Sequence, residues 1–147
     1  MISQTAEYAL RAVVFLADQT EPKTTQAIAA VTQVPTGYLA KVMQSLSRAR
    51  LVHSQRGLHG GFTLAIEPRS LTVLQVVNAV DPVQRYLECP LGLHGIRLCP
   101  LHRKLDDAAL AIEQTFGGTT VADLVSVPLS QSKPLCAFPV SPDKTQG

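Results

Sequence analysis

Apolar residues recur at three- and four-residue spacing from Ala6 through Ala9, Leu10, Val13, Val14, Leu16 and Ala17. That period predicts a first helix with one buried stripe, started by Ser3 as N-cap and ending between Asp18 and Pro22. Glu7 and Arg11 stand four apart on its polar side. The plain reading is an exposed ion pair worth about 0.3 kcal/mol; the alternative is a functional carboxylate at Glu7. A second, shorter helix follows Thr24 or Thr25 as cap, with Ala27, Ile28 and Val31 inward, and Thr32-Gln33-Val34 forms a turn. Pro35 suits the first position of a third helix, where its missing N–H costs nothing. Leu39, Val42, Met43 and Leu46 fix the buried face of that helix. By subtraction Gly37, Tyr38, Lys41, Gln44, Ser45 and Arg48 lie on or near its outward face.

The period then changes. Leu51 to Gln55 and Phe62 to Ile66 alternate as two strands, with Phe62, Leu64 and Ile66 on one side. The loop between them, Arg56-Gly57-Leu58-His59-Gly60-Gly61, holds three glycines in six residues, which permits positive φ values and close backbone approach. Thr72 with Gln75 reads as a capping box, and Leu71 with Val76 as its hydrophobic staple. The fourth helix so started runs to about Val80 and is stopped by Asp81-Pro82. Residues 83–98, with Cys89-Pro90, Gly92 and Gly95 ahead of Cys99-Pro100, read as a loop with too few apolar side chains to bury itself. Leu101, Leu105, Ala108, Ala109, Ile112 and Phe116 mark a long helix ended by Gly117-Gly118. Its apolar stripe would face water in a monomer, so Leu101, Leu105, Ala108, Ile112 and Phe116 are expected to form a dimer contact. Thr119 or Thr120 caps a last turn over 121–125.

Charge changes the picture between Pro22 and Ile66. That span carries Lys23, Lys41, Arg48, Arg50 and Arg56 and no Asp or Glu, although the whole chain of 147 residues is only +2. Two short helices joined by a tight turn, then a glycine-rich hairpin, match a helix-turn-helix with a β-wing, and the asymmetry points to a polyanion. Glycine and alanine early in the third helix permit close approach to bases, Lys41 suits a guanine edge or a phosphate, and Arg56 is the natural groove or phosphate contact. The residues assigned to contact with double-stranded DNA are Thr25, Thr36, Gly37, Tyr38, Lys41, Gln44, Arg48, Ser54, Arg56, Gly57 and Gly60. His59 reads as a solvated loop residue.

The expected fold is thus mainly α with a small β-wing: a winged helix-turn-helix domain over 1–82, a cysteine-containing loop over 83–100, and a long dimerisation helix with a short final helix over 101–127. A flexible tail, 128–147, closes the chain. Apolar content of 46% with 16% charged residues is that of a globular protein. No run approaches the ~20 residues of a membrane span, and the start lacks the basic and small-residue signature of a signal peptide. A cytoplasmic location is expected. Three cysteines, Cys89, Cys99 and Cys136, are an odd count without a secretion signal, which argues against a disulfide framework and for packing, metal binding or redox sensing.

The chain resembles the Rrf-type winged-helix regulators of bacteria, the family that includes IscR and NsrR. The likeness spans roughly Met1 to Leu124. It is carried by Ile2-Ser3 through Tyr8-Ala9-Leu10, Tyr38-Leu39 with Leu46, Ser54-Gln55-Arg56-Gly57 through Gly60-Gly61-Phe62, Leu71-Thr72-Val73-Leu74 with Val76-Val77, and Cys99-Pro100-Leu101-His102. The resemblance implies a homodimeric transcriptional regulator with the third helix in the major groove and the wing in the minor groove. It further implies an iron-sulfur cluster at the cysteine loop, with Cys89 and Cys99 matching cysteine ligands, His102 at the spacing of a ligating histidine, and Glu7 where some members donate a carboxylate from the partner subunit. The chain departs from the pattern of three close cysteines. Two thiolates need two further ligands to fill four positions, from His94, His102, Glu7 or Cys136. Zinc, a thiol-only sensor, or no cofactor with the Cys-Pro pairs serving as turns are the alternatives.

The rival function is a winged-helix module that binds protein or oligomerises and has no cofactor or DNA-sensing role; the acid-free span favours DNA. An enzyme is not expected. Cys99 with His102 is the nearest thing to a nucleophile and base, and no phosphate loop, nucleophile elbow or oxyanion device accompanies it.

Overall fold

Six residues of the first helix, α1 (Gln4–Ala17), are buried: Ala6, Ala9, Ala12, Val13, Val14 and Leu16. Three of them are alanines, so neighbouring helices can approach closely, and α1 becomes the hub of the domain rather than a helix with one buried stripe. The computed structural model, which describes residues 2–126, packs α2 (Thr25–Thr32), α3 (Thr36–Arg48), α4 (Val73–Val80) and α6 (Val121–Val125) against α1. Between α3 and α4 lie β1 (Val52–Gln55) and β2 (Gly61–Leu64), and α5 (Pro100–Gly117) packs on α4. Cys136 and the tail assigned to 128–147 lie outside the described residues.

The helix starts follow the expected chemistry. Ser3, Thr24, Thr72 and Thr120 each accept a backbone N–H into the first turn, and Thr72–Gln75 forms the capping box read from the sequence. Thr120–Asp123 forms a second one. Pro35 differs from expectation: it is the N-cap of α3, with an extended ψ of 130°, and its carbonyl accepts from Tyr38 and Leu39 at 3.0 and 2.9 Å. Ala27 also differs. It is exposed, because α2 buries the face of Ile28, Ala29 and Thr32 instead.

The main core joins Ile28, Val34, Leu39, Val42, Met43, Leu46, Leu51, Val52, Leu71, Val76 and Val121 to the buried face of α1. Each such side chain contributes about 1.5–3 kcal/mol by leaving water. Phe62, Leu64 and Ile66 pack on this cluster from the wing side, as their shared face predicts. The strands pair antiparallel with Val52 opposite Leu64 and Gln55 opposite Gly61. A tertiary element the sequence did not announce anchors this hairpin: Lys23 and Phe62 exchange backbone hydrogen bonds of 3.0 and 2.8 Å, so the wing is tied to the segment before α2. Arg50 occupies the left-handed region at φ 59°, where a helix end usually has glycine. There the N–H groups of Arg50 and Leu51 close α3 on Ser47 and Leu46.

Candidate nucleic-acid interface and cysteine site

The outward face of α3 is as the sequence predicts. Thr36, Gly37, Tyr38, Lys41, Gln44 and Arg48 are all exposed, as are Ser54, Arg56 and Gly57 of the hairpin, while Thr25 is half-buried at the start of α2. A shallow groove of about 510 Å³ lies between α3 and the wing, lined by Ala40, Gln44, Ser47, Arg48, Ser54 and Phe62. Its floor is therefore Phe62 and its rim hydroxyl, amide and guanidinium groups that suit a sugar-phosphate strand. Gly60 also has a structural part. It is half-buried, and a Cβ on it would lie 2.4 Å from the Gln55 carbonyl oxygen, so it makes the turn that presents Arg56 and Gly57. Leu58, which the sequence reading passed over, stands at the tip of the wing and is 96% exposed.

Two further residues missed in the sequence brace this face from behind. The Arg11 guanidinium donates to the Thr32 carbonyl at 3.3 Å, at the turn between α2 and α3, while also pairing with Glu7. It lies 5.5 Å over the Tyr8 ring, and Tyr8 meets Tyr38 edge-on at 5.8 Å. Tyr38 is 48% exposed, so one side of its ring is held by Tyr8 and the other is open. The i, i+4 spacing of Glu7 and Arg11 announced an ion pair, but the reach of Arg11 to a turn twenty-one residues away is a tertiary fact.

The fold also brings Cys89, Cys99 and His102 together, with one donor atom from each within 4.8 Å of the others. Cys99 is the N-cap of α5, Pro100 starts the helix, and one turn later His102 turns Nδ1 toward both sulfurs, 3.0 Å from Cys99 and 3.9 Å from Cys89. Cys89 is buried and Cys99 partly so. The backbone N–H of His102, then its imidazole, pull the Cys99 thiol down to about 7. Two sulfurs and an imidazole are a donor set for zinc or iron, complete but for one position. Glu7 and His94 are not among the clustered donors within this chain.

The site is steadied by a clip. Arg85 donates through Nε and Nη2 to Asp106 at 2.7 and 2.8 Å and through Nη1 to Glu113 at 2.7 Å, and the Tyr86 N–H also donates to Asp106 at 2.9 Å. Hydrogen bonds from Arg85, then from the Tyr86 N–H, hold Asp106 down to about 2. The clip lays Tyr86 against His102, with ring centroids 5.2 Å apart. No local pattern announces this clip, because Arg85 lies in the loop, 21 and 28 residues from Asp106 and Glu113. The loop itself is not poor in apolar residues. Leu87, Leu91, Leu93 and Ile96 are there, but all are exposed.

On α5, Leu101 is 63% exposed, and Leu105 and Ala108 are exposed as well. Ile112 is half-buried, and Phe116 packs on the cluster of Ala6, Val73 and Val77 within its own chain. Leu105, Ala108, Ala109 and Ile112 line a cleft of about 320 Å³ with Ile2, Val77, Val83 and Tyr86.

A helix-turn-helix whose second helix shows an acid-free basic face, flanked by a two-stranded wing, defines a winged-helix DNA-binding protein. The model of the family described as Rrf2, Iron-dependent Transcriptional regulator, matches residues 2–127. An HTH-type transcriptional regulator from Aquifex aeolicus is 34% identical over 147 residues, covering 96% of this chain and 99% of that protein. The HTH-type transcriptional regulator NsrR of Geobacillus kaustophilus is 29% identical over 126 residues, covering 81% and 85%. Among solved structures, CymR (YrzC), the global cysteine regulator of B. subtilis, superposes with a TM-score of 0.69 at 26% identity, covering 84% of this chain and 95% of that one. T. potens IscR gives a TM-score of 0.70 at 24% identity over 84% and 85%, a likeness of fold. The chain belongs to the Rrf2 family and is a DNA-binding transcriptional regulator. Among the described residues, no helix is long and apolar enough to cross a membrane.

Proposed function

We propose that the protein works as a homodimer that lays α3 into the major groove and sets Arg56 and Gly57 of the wing on a minor groove or its phosphates, with its affinity governed by an iron-sulfur cluster at Cys89, Cys99 and His102. The observation that carries the DNA half is the basic, acid-free face shared by α3 and the wing. Thr25, Thr36, Gly37, Tyr38, Lys41, Gln44, Arg48 and Ser54 complete the contact surface, and Gly60 shapes it. The exposed residues Leu101, Leu105 and Ala108, with Ile112 at the cleft edge, are the surface for the second copy. Pairing through α5 places two wings at a fixed separation, as half-sites one helical turn apart require.

The cluster half rests on the S, S, N donor set. A cluster bound there supplies a centre whose charge and ligation change with redox state, and histidine among the ligands raises its potential. Glu7 of the partner subunit is the proposed completing donor. Because Cys99 and His102 belong to the first turn of α5, any change in how they are held moves the start of the dimerisation helix, and with it the spacing of the wings.

Two measurements test the halves separately. Arg56→Ala should weaken binding to every duplex sequence and lower the slope of log K against log salt by about 0.9; an unchanged affinity and slope removes the wing from the mechanism. Protein purified without oxygen should be brown and carry iron and sulfide. A colourless, metal-free dimer that binds DNA ends the cluster reading and leaves the DNA reading intact.

A further inference from the structure

We propose that Cys89 and Cys99 are also a modification site, a thiol pair that a peroxide converts to an intramolecular disulfide, with Cys99 as the attacking sulfur and Cys89 as the resolving one. The pair is positioned for this whether or not a metal is ever bound. The two sulfurs are no more than 4.8 Å apart, and a disulfide needs about 2 Å. They differ in access as the two roles require: Cys99 reaches solvent, where the oxidant arrives, and Cys89 is buried at 4% exposure, where only an internal electrophile can meet it. His102 Nδ1, 3.0 Å from one sulfur and 3.9 Å from the other, can take the proton from either.

The intervening chain can absorb the movement. Its backbone hydrogen bonds are local turns, Gly92 N–H to the Cys89 carbonyl and Arg97 N–H to the His94 carbonyl. Leu91, Leu93 and Ile96 are exposed, so no core packing opposes a shift of the loop. The ends, by contrast, are held: Cys99 by the start of α5, and the approach to Cys89 by the Arg85–Asp106 clip four residues before it. Closure therefore falls mainly on the loop between the two cysteines, and what strain it leaves at Cys99 is passed to the first turn of α5.

The chemistry balances with a peroxide as the only oxidant. The Cys99 thiolate attacks one peroxide oxygen, the O–O bond breaks, and the leaving hydroxide takes up a proton as water, which leaves Cys99 as a sulfenic acid. The Cys89 sulfur, its proton passed to His102, then attacks the Cys99 sulfur. The S–O bond breaks, hydroxide leaves and recovers that proton as a second water. Two electrons have left the sulfur pair and reduced the peroxide. The product has no thiolate for a metal, so the oxidised and metal-bound states exclude one another.

The test needs neither DNA nor metal. Full-length, metal-free, reduced protein is treated with one equivalent of hydrogen peroxide, blocked with an alkylating reagent and digested. The thiol count should fall from the three of the sequence to one, with Cys136 alkylated and the Cys89 and Cys99 peptides linked within one chain. Cys136→Ser should form the link at the wild-type rate. In Cys89→Ser, with unchanged helix content by circular dichroism, Cys99 should be captured by dimedone. A link through Cys136, a link between two chains, or Cys99 over-oxidised beside a free Cys89 overturns the proposal.

Discussion

Replacing Gly61 with alanine should open the attachment of the wing to the body. Gly61 begins β2 at φ 149°, and a Cβ built on it lies 2.6 Å from both the carbonyl carbon and oxygen of Lys23 and 2.9 Å from its nitrogen. All three are backbone atoms, so no rotamer change relieves the overlap. They also belong to the residue that exchanges two hydrogen bonds with Phe62, at 3.0 and 2.8 Å. Separating the segments forfeits both bonds, at about 0.5–1.5 kcal/mol each. Holding alanine in a region that favours glycine adds about 1–3 kcal/mol. The expected cost is therefore roughly 2–6 kcal/mol, out of a total that for a domain is about 5–15 kcal/mol. Urea unfolding followed by helical circular dichroism should show a lower midpoint, and amide exchange at Phe62 should accelerate. DNA affinity should fall too, because Arg56 is carried on the same hairpin. Stability within about 0.5 kcal/mol of wild type, with Phe62 still protected, would refute the argument that Lys23 anchors the wing.

Other outcomes follow from the same geometry. Gly37→Ala has open space for its methyl and should stabilise α3 by about 0.8 kcal/mol; it should nonetheless weaken DNA binding, read by titration of a duplex selected by the wild type, since in the proposed complex the methyl would face the bases. Asp106, held down to about 2 by Arg85 and the Tyr86 N–H, contributes stability that is present above the ordinary carboxylate range and lost as pH falls toward that value. Thermal melts of Asp106→Asn should therefore lie below wild type at neutral pH and converge with it at the acid end; parallel curves would count against the clip. Alkylation of Cys99, followed by mass spectrometry in the metal-free protein, should have its midpoint near the value of about 7. In His102→Ala the backbone N–H remains, so that midpoint should move only part of the way up toward an ordinary thiol, and an unmoved midpoint would separate the imidazole from the sulfur.

Much of this protein was determined locally. The caps at Ser3, Thr24 and Thr72, the buried face of α3, and the hairpin with its glycine loop all depend on residues within a few positions of one another. Periodicity and capping chemistry report such features directly. The exposed residues of α3 followed by subtraction, because a helix whose buried face is known has its outward face fixed.

What the tertiary structure decided are contacts between residues far apart in sequence, which no local pattern encodes. Lys23 anchors the wing through backbone atoms, and backbone hydrogen bonds leave no mark on side-chain identity. Arg11 became a brace of the α2–α3 turn and Arg85 the keeper of the loop because the fold carried each to partners about twenty residues away. The same holds for Phe116, which periodicity placed on the apolar stripe of α5 and which also packs on Ala6, Val73 and Val77 of its own chain. The resemblance to the Rrf-type regulators implied Cys89, Cys99 and His102 as candidates. Only the fold, by starting α5 at Cys99 and clipping the other end of the loop to Asp106, set the three donors around one point.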